Sequence, residues 1–417
     1  MNDIFLSGTP LHAWHLAAGA RMAGFAGYDM PIAYADAANE HRVCRSAAAL
    51  FDISHLGRLR LEGVGAAPLL DRLLTRRVTD LPVGGVRYAL ICDIDGGVID
   101  DATIIRVETP SGTGYYLLTV NAANRGRVIE VIRPLLDDFP MVTLTDRTDL
   151  TAMIAVQGPM AIPTVARLFR ARIGTLKRFR AVVTEQFGKP AIVSRTGTSG
   201  EDGIEVIVRA EESRRVWENL LMAGRQAGFT PAGLAARESL RIEAGIPGYG
   251  HELDRHIDPI NAGLAFACDL NDRQFTGQQA LARIAREGPR LAPVGLILSG
   301  PDAANPDATR TDFAERISST ATDTPGDRFP VIDATGRTVG WVTSHCHSPM
   351  LGVRIAMAMI ERSALSFGDD LSFATPAAPP LRIDTPAGQL PATLTKLPFY
   401  RRTTGTPPSP PAPTRIA

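Results

Sequence analysis

Between Arg87 and Arg106 two apolar runs flank Asp95-Gly96-Gly97, and a D-G step between strand-like runs predicts a β-hairpin. Tyr115 to Val120 reads as a further strand, closed by Asn121. After it Val128, Ile129, Val131, Ile132, Leu135 and Leu136 recur at helical spacing. The pattern then repeats. Ala152 to Val156 is a strand, Gln157-Gly158-Pro159 a turn, and Ile162, Val165, Ala166 and Phe169 follow at i, i+3, i+4, i+7, with Pro159 suited to a first helical turn. Ala191 to Arg195 and Ile204 to Val208 read as strands around a Gly-rich turn, Ser213 as the cap of a helix bearing Val216, Trp217, Leu220 and Leu221, and Gly233 to Ala244 as another helix.

Beyond about Gln279 the texture changes to short strands, among them Val294 to Leu298, Phe329 to Ile332 and Val339 to Thr343, with Ala334-Thr-Gly-Arg337 as a hairpin turn. The expected fold class is α+β, with a small all-β domain over 281–401 following a mixed region over 1–280. Ser299 to Asp327 is rich in Pro, Asp, Thr and Ala without apolar periodicity and reads as a flexible insertion, and 402–417 as a disordered Pro-rich tail.

Composition narrows the function classes. A chain of 417 residues with 45% hydrophobic and 21% charged residues is globular and long enough for two or three domains. Lys plus Arg equals Asp plus Glu at 44 each, so no overall field steers it to nucleic acid or an anionic membrane. Met1 to Leu16 lacks a secretory pattern, and no stretch reaches the ~18 apolar residues of a spanning helix, which predicts a cytoplasmic protein. Cys44, Cys92, Cys268 and Cys346 form no C-x-x-C pair, and no phosphate loop occurs.

The most informative local feature is Asp100-Asp101 inside an apolar strand, where a buried unpaired carboxylate is costly. Successive strand residues face opposite sides, so one aspartate is expected toward solvent and the other toward a cavity, without a protease-like dyad. A two-residue hairpin loop puts Asp101 on the face of Tyr88, Leu90 and Cys92 and makes it the cavity residue; a three-residue loop reverses the assignment. Glu201, Asp202 and Glu205 surround a turn that reads as solvated, although Glu205 points away from the core of its strand. Arg237 and Arg241 stand four apart on one helix, like charges that suggest an anionic partner or plain exposure. Asp52-Ile-Ser54-His55 holds the residue types of a hydrolytic triad with Ser and His pointing apart, and His345-Cys346-His347 reads as a surface loop with too few ligands for a metal.

Taken together, Gly19-Ala-Arg-Met22, Phe51-Asp-Ile-Ser-His-Leu-Gly57, Gly96-Gly-Val-Ile-Asp-Asp101, Val120-Asn-Ala-Ala-Asn124, Gln157-Gly-Pro159, Gly200-Glu-Asp-Gly203, Ala232-Gly-Leu-Ala-Ala-Arg237 and Lys396-Leu-Pro-Phe-Tyr-Arg401 resemble the glycine cleavage T-protein family over nearly the whole chain. That resemblance implies a three-domain clover-like arrangement around a central folate pocket, the first two domains interleaved. It implies tetrahydrofolate as co-substrate and a lipoylated H-protein as carbon donor, with glycine decarboxylase and dihydrolipoyl dehydrogenase as indirect partners. By position it implies Asp101 as the catalytic acidic residue, Glu205 on the pterin's N–H groups, and Tyr88, Asn121, Arg237 and Arg401 along the pocket. Thr198 and Ile246 stand where the family often has tyrosine. Two rivals share the scaffold: a tetrahydrofolate-dependent demethylase acting on a sulfonium, methylamine or aryl methyl ether, and a non-catalytic folate-binding protein, whose signature cysteine is missing from Arg195-Thr-Gly-Thr-Ser-Gly200.

Overall fold

The hairpin forms from Val86–Cys92 and Val98–Glu108, and it is the outer part of a five-stranded sheet that continues through Gly114–Val120, Gly57–Glu62 and Thr143–Asp146. The computed structural model describes residues 6–299, 328–365, 381–386 and 388–402; the insertion over 300–327 and the tail beyond 402 lie outside the described residues. One face of the sheet is covered by helices Ala66–Leu73 and Arg125–Ile132, with Leu59, Leu70, Ile104, Leu118 and Val128 in the seam. The predicted strand at Tyr115 and the helix after it are both present, the helix tightening into a 3₁₀ turn over Arg133–Asp138.

A second sheet has six strands, in the order Ala181–Gln186, Lys189–Ser194, Gly203–Arg209, Thr151–Gln157, Ala49–Asp52, Thr230–Pro231. The two sheets are interleaved along the chain: Ala49–Asp52 pairs with Thr151–Gln157, whereas Gly57–Glu62, a few residues later, belongs to the first sheet. Helix Ser213–Gly224 covers the outer face with Trp217 and Leu220, and Ser213 is its first residue rather than a side-chain cap. The segment after Pro159 makes only a short helix, Ala161–Val165, which tightens into a 3₁₀ turn over Ala166–Leu168.

The remaining faces of the sheets meet in a third apolar layer that holds Phe51, Ile53, Ile105, Val107, Leu117, Met153 and Ile207, closed by Ala236 and Leu240 of helix Leu234–Glu243. Strand alternation puts Asp101 on the face of Ile105 and Val107, and Glu205 on the face of Ile207. Both carboxylates therefore face the layer between the sheets. The helix approaches closely because Gly233 lacks a side chain: a Cβ there would lie 2.1 Å from the Ile32 carbonyl oxygen.

Six strands from Leu291–Leu298 to Gly388–Thr395 close a barrel, as expected for the C-terminal part, filled by Val294, Leu296, Val339, Val342 and Ile360. The expected boundary at 280/281 falls inside helix Gln278–Glu287. Leu281 of that helix packs with Leu90, Cys92 and Val98 of the hairpin, so the barrel begins at Leu291. His345-Cys346-His347 is not a loop: it ends the barrel strand Thr338–Ser348, paired with Val353–Glu361.

Candidate active site

At one end of the inter-sheet layer the apolar filling gives way to an open cavity of about 180 Å³. Its wall draws His55 from the crossover between sheets, Asp101 and Asn121 from the first sheet, Thr198 from the second, Arg237 from the helix and His345 from the barrel. Phe25, Leu56, Leu234 and Ile246 supply flat or branched apolar surface between these polar groups. A cavity of this make-up, apolar with a few convergent polar groups, suits a planar heterocycle.

Asp101 reaches it by a different route from the expected two-residue loop. The turn is five residues, Asp93–Gly97, and a bulge at Ile99 returns the upper ladder to the register in which Leu90 faces Asp101 and Tyr88 faces Thr103. The Asp93 carboxylate accepts from the backbone of Asp95 at 3.0 Å and Gly97 at 2.9 Å, which holds that turn. Asp101 then accepts from Asn121 Nδ2 at 2.8 Å and is hydrogen-bonded to the Tyr88 hydroxyl. Burial raises its proton affinity, opposed by those two donors, by its own backbone N–H and by Arg237.

Asp100 does lie on the opposite strand face, but not in solvent: it is 0% exposed. Its Oδ2 accepts from the Asn121 backbone N–H at 3.0 Å, and its Oδ1 from Asn121 Nδ2 at 2.8 Å and Asn124 Nδ2 at 2.7 Å. The expectation of a solvent-facing aspartate fails because the 3₁₀ turn Ala122–Asn124, starting helix Arg125–Ile132, covers that face and supplies N–H donors.

Glu205 sits behind the wall, where Thr196 Oγ1 donates to it and burial pushes its carboxyl up, with Thr196 and the nearby Arg237 pulling it down. Arg237 makes no hydrogen bond or ion pair among the described residues, although Glu205, Glu238 and Asp101 support its charge against burial. Its neighbour Arg241 is different. Arg241 is buried and fully engaged, with Glu252 at 2.7 Å, Glu238 at 3.0 Å and Ser344 Oγ at 2.7 Å. Only one of the two like-charged arginines thus remains for an anion.

Other sequence readings change. Glu201 is not solvated but buried against Arg45 at 3.0 Å, and Asp202 pairs with Arg195 and with Arg402 at 3.2 Å. The triad types do not assemble: Asp52 accepts from His15 Nε2 at 2.9 Å and Thr9 Oγ1 at 2.6 Å, while Ser54 Oγ bonds the Met153 backbone. His55 instead faces the cavity, with burial and Arg237 pushing it down to about 3, so it stays neutral. Sequence reasoning singled out neither His55 nor His345 as a cavity residue. Their only signal was residue type, since the crossover and the barrel approach the cavity through tertiary packing. Arg401 is exposed and is not brought to the cavity wall. Among the described residues no helix is long and apolar enough to cross a membrane.

Comparison with known proteins matches the same parts. Residues 11–272 fit the GCVT N-terminal domain, and 321–401 the glycine cleavage T-protein C-terminal barrel domain. The chain is 36% identical to an aminomethyltransferase of Moorella thermoacetica over 95% of its own length and 98% of that protein. It is 37% identical to another from Rubrobacter xylanophilus over 94% of each. The crystal structure of glycine cleavage system aminomethyltransferase T from Bartonella henselae matches with a TM-score of 0.79 at 25% identity, covering 95% of this chain and 98% of that one. One matched model spans both sheets and helix Leu234–Glu243 and the other the barrel beyond its first strand, so the chain belongs to the glycine cleavage T-protein family, the aminomethyltransferases.

Proposed function

We propose that the chain transfers the aminomethyl carbon from the lipoyl arm of an H-protein to tetrahydrofolate, giving 5,10-methylenetetrahydrofolate, ammonia and the dihydrolipoyl carrier. The observation that carries this reading is a carboxylate, Asp101, held at a largely apolar cavity wall with Asn121 and Tyr88 as its donors. A pterin presents N–H donors along one edge and flat faces above and below. Asp101 supplies an acceptor at the wall, Glu205 stands behind it as a second, and Phe25, Leu56 and Leu234 supply apolar surface.

In this reading Asp101 accepts a proton from a reacting folate nitrogen and stabilises positive charge that develops there. Glu205 takes pterin N–H groups, and Arg237, without a partner among the described residues, takes an anionic group or a carbonyl. Tyr88 orients Asp101 from behind. Arg401 enters on the family resemblance alone. The lipoylated H-protein enters as donor on the same ground, with a cytoplasmic setting.

Glu205→Ala is expected to weaken tetrahydrofolate binding by about 1.5 to 3 kcal/mol, the range for a hydrogen bond to a charged group. Isothermal calorimetry of the two proteins checks it. Equal affinities would remove Glu205 from the pterin site, and no binding of tetrahydrofolate by the unmodified chain would remove the site itself.

A further inference from the structure

Two neighbouring carboxylates are tied to one amide. The two N–H bonds of Asn121 Nδ2 go to Asp100 Oδ1 and Asp101 Oδ1, each at 2.8 Å, and the Asn121 backbone N–H goes to Asp100 as well. Burial pushes both carboxyls up, and the charge of Asp101 pushes Asp100 further, against the donors that each accepts from. Asp100 takes three N–H donors at the start of helix Arg125–Ile132, where the helix dipole also favours an anion. Asp101 takes the Asn121 amide, the Tyr88 hydroxyl and its own backbone N–H, and it alone of the two borders the cavity.

We propose that Asp100 is a positioning residue for the reaction: it fixes the Asn121 amide and shares one proton equilibrium with Asp101, so that the charge on Asp100 sets how strongly the cavity-facing Asp101 takes and releases a proton. Two anions this close do not coexist without cost in a buried site, so negative charge on Asp100 strengthens Asp101 as a base. The inference rests on Asp101 as the proton-handling group. The simpler role, capping a helix, uses the same donors on Asp100 but predicts no effect on Asp101.

The sign follows from the charge. Asp100→Asn removes an anion beside Asp101, so Asp101 holds its proton less tightly and the acidic limb of the kcat–pH profile moves down by about one pH unit or more. Turnover at neutral pH falls with the weaker base. Asn124→Ala strips one donor from Asp100 but keeps its charge, so its limb stays in place while stability drops. The profiles are measured with tetrahydrofolate and aminomethylated H-protein. An unmoved limb in Asp100→Asn, or equal behaviour of the two variants, overturns the proposal and leaves capping.

Should Asp100→Asn not fold, carboxyl-¹³C titration of the unmodified protein, assigned with Asp101→Asn, decides the point. The proposal expects the pair to titrate as two coupled steps, one of them well above the ordinary ~3.9, and the Asp100 step to fall when Asp101 is replaced by Asn. Two independent ordinary titrations, or an Asp100 titration that Asp101→Asn leaves unmoved, overturn it. Full turnover in Asp101→Asn would instead defeat the reading of Asp101 beneath it, a result separate from either arm.

Discussion

Asp101→Asn is expected to lower turnover by about 100- to 10,000-fold, the usual contribution of a general acid or base, while leaving the fold and tetrahydrofolate affinity nearly unchanged. Asn keeps the size of the side chain and one carbonyl acceptor for Asn121 Nδ2 or the Tyr88 hydroxyl, so the wall keeps its shape. What it loses is charge and basicity. The assay follows 5,10-methylenetetrahydrofolate formation from aminomethylated H-protein, with calorimetry for binding. A variant that binds and turns over like the parent would show that Asp101 only lines the cavity. Weakened binding without a turnover defect would make it a recognition group instead.

The largest expected loss of stability belongs to Arg241→Met. Arg241 ties the helix to the loop at Glu252 and to the barrel at Ser344, and Glu252 also accepts from Thr343 and Ser344 at 2.6 Å each. Removing the cation leaves a buried carboxylate uncompensated, which costs about 3 to 5 kcal/mol. The double variant Arg241→Met/Glu252→Gln removes both charges and is expected to lose less than the single one. Burial alone would raise the Glu252 carboxyl, but Arg241, His251, Ser344 and Thr343 outweigh it and hold it below the ordinary Glu range. A carboxyl lowered in the folded state stabilises above its unfolded pKa, and that contribution disappears as pH falls through the folded value. Arg241→Met is therefore expected to lose this acid-side dependence. Urea unfolding at several pH values checks both statements, and a single variant as stable as its parent would contradict them.

Strand alternation separated Asp100 and Asp101 onto opposite faces, but which of them faces the cavity depended on the hairpin register. The register itself was not legible. A five-residue turn with a bulge gives the same pairing as a two-residue turn, and nothing in Asp93–Gly97 announces the compensation. Arg237 and Arg241 show a related limit. Both are arginines on one helix face, yet one is consumed by Glu252 and Ser344, which lie 11 and 103 residues away in the chain. Asp100, Glu201 and Asp202 looked solvent-facing for the same reason: their partners Asn124, Arg45 and Arg402 come from other elements. Local propensity carried the strands, the helices and the barrel, whereas the polar end of the inter-sheet layer exists only after packing.

The most direct test of the proposed reaction is a single-turnover experiment on the unmodified protein with tetrahydrofolate and a ¹³C-aminomethylated lipoyl H-protein, compared with methyl sulfonium, methylamine and aryl methyl ether donors under the same conditions. The expected result is ¹³C in 5,10-methylenetetrahydrofolate with one ammonia released per carbon transferred, and no transfer from the methyl donors. Label in a methyl-folate from one of those donors, with none from the H-protein, would contradict it.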